Sequence, residues 1–361
     1  MKKTILLLSV FACSIQLFAQ VSANGTFVSY HNNPNYPGID YLFVFNGIDS
    51  NTSLVYNGTF NNSVNWYKYS DTANPIDSQT ETFNVENMTG YILKIDDSIS
   101  YSIWVIDYSL YLPIFYSLVP ENKPAEQCNE LNLLIQADVE MLYYQTPQQN
   151  RDIFIDRIFT VSYSTVEYSD KKWNEKKLEF TVILPAATIN VSQAPLCDTQ
   201  FKIVGDDVFA KALNIKPLTE FTSAMYRAVK VEAHIVSTTS PRSETNEDER
   251  PQDVDAIEGS SPLDITFNSY ANEAALYHNW EFFKDNVPMF SRADKDQQYT
   301  FAETGVYRLV LTSSNQYCWA SDTITIKVSD SDLQVPFAFT PNGDGKNDEF
   351  RVAYRSLATF K

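Results

Sequence analysis

Apolar residues in this chain recur at every second position, and almost nowhere at the spacing of an amphipathic helix. Tyr41-Leu42-Phe43-Val44-Phe45 and Tyr101-Ser102-Ile103-Trp104-Val105-Ile106 read as strands, because aromatic and β-branched side chains fit an extended backbone. Leu178, Phe180, Val182 and Leu184 alternate with polar or smaller neighbours, which places them on one face. Ile153, Ile155, Phe159, Val161 and Tyr163 share one parity, and Arg157 is the exception within it. Asn46-Gly47 and Asn57-Gly58 mark turns, since Asn and Gly tolerate positive φ. The single helix the pattern predicts is short, Asp207 to Leu213, with Asp206 or Asp207 as N-cap. The expected fold class is all-β: tandem Ig-like β-sandwich domains.

A length of 361 residues allows two to four domains at roughly 100–200 residues each. A hydrophobic fraction of 44% is enough to bury cores in most of them. The formal net charge of −18 repels nucleic-acid phosphates and anionic membrane surfaces, so neither is an expected partner. Three histidines leave little material for a histidine metal site.

Lys2 and Lys3 precede the apolar run from Ile5 to Ala12, and Leu17-Phe18-Ala19 follow. A basic segment, a short apolar core and a small residue at the cut make residues 1–19 a secretory signal peptide, leaving Gln20 as the new N-terminus. The run is shorter than the roughly 20 residues a bilayer requires. Lipid attachment at Cys13 is disfavoured by bulky Phe11. No later stretch is apolar enough to span a membrane, so the mature chain is expected to have no transmembrane segment.

The mature chain divides by composition into an N-terminal β-sandwich domain, 20–119, and a middle β-rich domain, 120–236. An acidic linker, 237–262, and a compact sandwich, 263–329, follow. The linker reading rests on Pro241, Pro251 and Pro262, with seven acids against two Arg and almost no large apolar residue. Such a segment buries too little surface to offset its ordering entropy. Cys128, Cys197 and Cys318 remain after the leader. Export permits a disulfide, and Cys128 with Cys197, both in the middle domain, is the expected pair. The alternative is three thiols buried as small hydrophobes.

The chain contains no nucleophile elbow, H-E-x-x-H, phosphate-binding loop or dinucleotide fingerprint. His31, His234 and His278 fall in three separate regions. Asp96-Asp97 and Asp206-Asp207 are adjacent pairs, which point to opposite faces of a strand and suit turns or caps better than acid–base work. Trp66-Tyr67-Lys68-Tyr69 and Tyr108-Ser109-Leu110-Tyr111 allow either core packing or a sugar-stacking platform, and alternation favours core. No catalytic residue is nominated and no enzyme is expected. The competing reading is a secreted hydrolase with its active site in the middle domain.

Trp280 and Phe282 in W-x-F are followed by Phe301, Gly305 and Tyr307 in Y-T-F-x-x-x-G-x-Y-x-L-x-L, then by S-D-T-I-T-I-x-V. This pattern resembles PKD domains, Ig-like sandwiches common in bacterial surface proteins. The resemblance implies that Trp280, Phe282, Phe301 and Tyr307 form the core of residues 263–329, with a spacing or contact role toward an extracellular protein or glycan. Beyond it, Phe339-Thr340-Pro341-Asn342-Gly343-Asp344-Gly345 continues through Asn347, Asp348 and Phe350. This string resembles the opening of the gliding-motility-associated C-terminal domain. That family is the sorting domain of type IX secretion cargo. The resemblance implies the type IX machinery as a partner, an exported chain at the outer-membrane surface or outside the cell, and residues 330–361 as the start of a further β domain cut short.

Asn342, Asp344, Asn347 and Asp348 also gather oxygen ligands around a Gly-bent turn. They make Ca2+ the one cofactor to consider, against a metal-free Asx turn. Asp71-Thr72-Ala73, Asp97-Ser98-Ile99 and Asp322-Thr323-Ile324 resemble the O-glycosylation acceptor of the same bacterial group. The functional expectation is adhesion, scaffolding or ligand display.

Overall fold

Tyr41–Phe45 is buried at all five positions, although an exposed sandwich strand buries only alternate residues. Both of its faces are covered. Tyr41, Phe43 and Phe45 enter the core of a first sandwich, while Leu42 and Val44 join Trp104 and Ile106 on the opposite face. That second face receives part of the middle domain, so the aromatic run records a junction as well as a core.

The computed structural model describes residues 20–59, 63–78, 80–96, 98–121, 123–239, 251–252, 254–330, 332–334, 341, 343 and 353–355. They form three successive β-sandwiches. The first packs a six-stranded sheet on a three-stranded one. The strands Tyr41–Phe45 and Ile99–Asp107 run parallel at the centre of the larger sheet. The middle sandwich packs Ile114–Pro120, Leu131–Asp138 and Thr188–Val191 against a sheet built on the hairpin Arg157–Ser169 and Lys172–Leu184. Its core includes Leu118, Leu133, Phe159, Val161, Tyr163 and Phe201. Leu178, Phe180 and Val182 line that core from the hairpin's second strand.

One expected stretch separates into two strands. Ile153 and Ile155 belong to the hairpin Leu142–Thr146 with Gln149–Ile155 and pack toward the first sandwich. Phe159, Val161 and Tyr163 belong to the next strand and to the middle core. Shared parity held across the break because the chain changes sheets without changing its alternation.

The third sandwich begins earlier than composition indicates. Ala233–Thr239 pairs with Leu263–Ala271 through seven registered positions. Ala256–Ser260 pairs in parallel with Trp319–Ser329. The described ends of the expected linker are therefore ladder strands. Backbone hydrogen bonds recruit them, and Ile257 anchors one in the core, which acidic composition does not reveal. Trp280, Phe282, Phe301 and Tyr307 are all buried in that core with Ile265, Phe267 and Leu309. Trp280 Nε1 donates to the Asp294 carbonyl at 3.0 Å. A short antiparallel pair, Asp332–Gln334 with Ala353–Arg355, follows. Residues 1–19 lie outside the described residues, and no helix among the described residues is long and apolar enough to cross a membrane.

Candidate functional site

Chemistry-bearing side chains gather at the two junctions between sandwiches. At the first junction, Arg157 takes an inward position on its strand and is 2% exposed. A buried guanidinium requires a partner. Its Nε donates to Asp207 Oδ2 at 2.8 Å, its Nη1 to the Glu140 carbonyl at 3.2 Å, and its Nη2 to the Tyr108 hydroxyl at 3.2 Å. Tyr108 comes from the first sandwich and donates in turn to Asp207 Oδ1 at 2.8 Å. Burial, and then the Asp207 charge, push the Tyr108 phenol well above its ordinary range, so it remains a donor. Asp207 caps the helix Val208–Ala212 by accepting from the Ala210 N–H. Phe209 on that helix meets Tyr30, Tyr36 and Tyr108. This network is a structural clasp between the first and middle sandwiches. Asp206 accepts from Thr160 N and Oγ1, so both members of that Asp pair hold backbone.

Of the aromatics weighed as a stacking platform, Trp66, Tyr67 and Tyr108 are core, while Tyr69 and Tyr111 are half-buried and pack against the first junction. Trp66 is fully buried, Tyr67 is 9% exposed and Tyr108 is fully buried. Asp96 adopts φ of 52° and accepts from Ser63 N, the geometry of a turn.

At the second junction a disulfide joins Cys128 to Cys318, with Cα atoms 5.5 Å apart across 190 residues of sequence. The expected Cys128–Cys197 pair does not form, and Cys197 is a free, half-buried thiol. Cys128 sits at the end of the middle sandwich against the third domain's turn, its Sγ 3.5 Å from the Tyr317 carbonyl oxygen. The partner of Cys128 comes from the third sandwich and not from its own domain. One buried amide, Asn272, and one half-buried amide, Asn315, reinforce the covalent link. Asn272 Nδ2 donates to the carbonyls of Leu196 and Lys230 at 2.7 and 2.8 Å. Asn315 Nδ2 donates to those of Val229 and Ala274 at 2.8 and 3.0 Å.

His234 stacks on Tyr168 at 3.9 Å between centroids and lies 3.0 Å from Glu232 through Nε2. His31 stacks on Tyr41. His278 Nδ1 lies between Ser269 Oγ and Ser313 Oγ at 3.2 and 2.9 Å. The three histidines do not meet.

Two clefts open at the second junction. One, of about 270 Å³, is lined by Glu167, Tyr168, Lys176 and Glu232 among others. Glu167 pairs with Lys176. The His234 hydrogen bond holds the Glu232 carboxyl below its ordinary range, the opposite of what a general acid requires. The larger cleft, about 410 Å³, is lined by Asp198, Arg227, Glu273, Leu276 and Tyr317, with Cys197 in its wall. Asp198 pairs with Arg227. Close in sequence to its lining residues Leu276 and Tyr317, Tyr277 is 64% and Trp319 70% exposed. Their parity opposes that of buried Trp280 and Ile324 and points them outward, a signal present in the sequence beside the better marked core pattern.

Of the sorting string, Pro341 and Gly343 are described, and Pro341 is exposed. Phe339, Thr340, Asn342, Asp344, Gly345, Asn347, Asp348 and Phe350 lie outside the described residues, and with them the calcium candidates. Among the described residues no group of three or more His, Cys, Asp or Glu side chains is arranged to hold a metal.

Residues 120–223 match the family model of a fibronectin type III domain. Among curated proteins nothing matches the chain. Solved structures similar to it include three N-terminal domains of the bacteriophage RB49 Highly Immunogenic Outer Capsid protein. That protein is 14% identical with a TM-score of 0.22, and the match covers 63% of this chain and 62% of that one. Fibronectin(III)-like modules of Clostridium thermocellum CbhA are 13% identical over 56% of this chain and 87% of theirs, with a TM-score of 0.19. A tetra-tandem repeat from the extending region of a large adhesion protein is 9% identical over 83% of this chain and 77% of that one, with a TM-score of 0.26. By its own strand pairing the protein is an all-β chain of tandem sandwiches, and its middle unit carries the fibronectin type III pattern.

Proposed function

We propose that this chain is an exported protein of the cell surface or medium that presents a fixed array of β-sandwiches for adhesion, scaffolding or ligand display. Its delivery would run through type IX secretion, read from residues 339–350. The observation that carries this reading is the Cys128–Cys318 disulfide between the middle and third sandwiches. A bond of this kind persists in oxidising compartments outside the cytoplasm. It also holds two domains in one orientation, which a display protein requires and a flexible linker does not provide. The Arg157–Asp207–Tyr108 clasp supports the same reading at the other junction.

The test is fractionation with surface proteolysis of cells carrying the full chain and a variant lacking residues 339–350. The expected result is mature protein at the surface or in the medium, with the variant retained in the periplasm. Mature full-length protein in the cytoplasm overturns the reading. Calcium at Asn342, Asp344, Asn347 and Asp348 belongs to it as a separate part, which an unchanged melting temperature in excess EDTA removes.

A further inference from the structure

The exposed aromatics of the third sandwich stand in one row. Tyr277 pairs with Ser314, and Ser314 pairs with Trp319 on its other side. Residues directly opposite on neighbouring strands share a face, so the two rings flank a small hydroxyl residue. Their backbones are two strand spacings apart, roughly 9–10 Å. The next row on that face is Asn279, Thr312 and Ser321, an amide and two hydroxyls. Neither row contains a charge. The nearest ionised side chain along the face is Glu281, in the third row with Val310 and Thr323.

The larger cleft is lined by residues next to the row in sequence. Leu276 precedes Tyr277, Asn315 follows Ser314 and Tyr317 is two residues before Trp319, and all three line it together with the Asp198–Arg227 pair and Glu273. The turn that carries Tyr317 is rigid: Asn315 Oδ1 accepts from the N–H groups of Tyr317 and Cys318, and Cys318 is tied to Cys128. Such preorganisation lowers the entropy cost of binding.

From this geometry we infer that the Tyr277–Ser314–Trp319 row and the adjoining cleft bind a neutral, extended oligosaccharide. Aromatic faces stack on the apolar faces of sugar rings. The amide and hydroxyl row and the carboxylate–guanidinium pair supply hydrogen-bond partners for ring hydroxyls. Charge selects against anionic glycans, because Glu273 lines the cleft and the chain carries −18 overall. This inference rests on the display reading above and names its ligand.

The experiment is native affinity electrophoresis of the full chain in gels containing hydroxyethyl-cellulose, xylan or galactomannan, with alginate as the anionic comparison. At least one neutral polysaccharide slows the protein and alginate does not. Trp319→Ala and Tyr277→Ala each weaken the retardation ~10-fold, on the order of one aromatic stacking contact. Tyr116→Ala, a 57% exposed tyrosine of the middle sandwich, leaves it unchanged. Both test side chains are exposed, so melting should not move; a misfolded Trp319 variant leaves Tyr277→Ala as the test. No retardation in any neutral gel, retardation by alginate alone, or full retardation of both variants overturns the inference. Surface display in the fractionation experiment with no glycan retardation refutes only the ligand. Cytoplasmic location refutes the display reading itself.

Discussion

Asp207 divides its carboxylate among three partners: Oδ2 holds Arg157 Nε at 2.8 Å, while Oδ1 accepts from the Tyr108 hydroxyl at 2.8 Å and caps the helix at Ala210 N, 3.0 Å away. The Asp207 and Arg157 side chains are both 1% exposed. Removing one member of such a pair leaves an uncompensated buried charge, at a cost of about 3–5 kcal/mol. Asp207→Asn keeps the shape of the cap and strands the guanidinium, so urea unfolding of the middle sandwich should show most of that loss. Adding Arg157→Met should recover part of it, since an apolar side chain has no charge to strand. Equal midpoints for Asp207→Asn and wild type would show that the ion pair does not hold the junction.

Peptide mapping without reductant should recover Cys128 linked to Cys318, with Cys197 alone open to alkylation. Opening a loop of 190 residues removes about 5 kcal/mol on the chain-entropy account, so Cys128→Ser should lower the melting temperature and release the third sandwich from the middle one. Burial, and the nearby Asp198, Glu273 and Glu175 charges, push the Cys197 thiol up. Because the thiolate is the nucleophile, iodoacetamide should label Cys197 more slowly at neutral pH than it labels an ordinary free cysteine. Recovery of a Cys128–Cys197 peptide contradicts this arrangement.

Acid should destabilise the chain in two windows of the same sign. Burial and the nearby Lys295 lower His278 below the ordinary imidazole value of 6.5. The unfolded chain therefore takes up that proton first, and stability falls as pH drops from 6.5 through the folded value. Burial raises Asp206, but hydrogen bonds from Lys211 and Thr160 outweigh it and its carboxyl lies low. Glu232 is lowered by His234. Their contributions are complete above the ordinary carboxylate values and disappear as pH falls through the depressed ones. Melting curves of His278→Gln should lose the slope of the upper window and keep that of the lower. An unchanged upper slope assigns it to another group.

Trp280→Ala should cost about 3–5 kcal/mol, as for other large aromatic truncations in a core. Trp280 is fully buried and also gives up its bond to the Asp294 carbonyl. Trp319→Ala, on the outer face of the same sheet, should cost almost nothing in the same unfolding assay. A large loss for Trp319→Ala would mean that the ring is packed rather than presented.

Alternation determined the all-β class and the sandwich core around Phe159, the W-x-F pattern pointed to the core around Trp280, and local residue type narrowed the helix cap to Asp206 or Asp207, because each depends on neighbours within a few residues. Parity even turned Tyr277 and Trp319 outward. Arg157 was legible as an exception to its parity, but not as a clasp, since its partners lie 50 residues away at Asp207 and 49 away at Tyr108. The same distance problem hid the Cys128–Cys318 bond, the row across Ser314, and the recruitment of Ala256–Ser260 into the third sandwich. Strand register and domain docking bring together residues that no local pattern links. Only the tertiary structure decided which aromatics were core and which cysteines met.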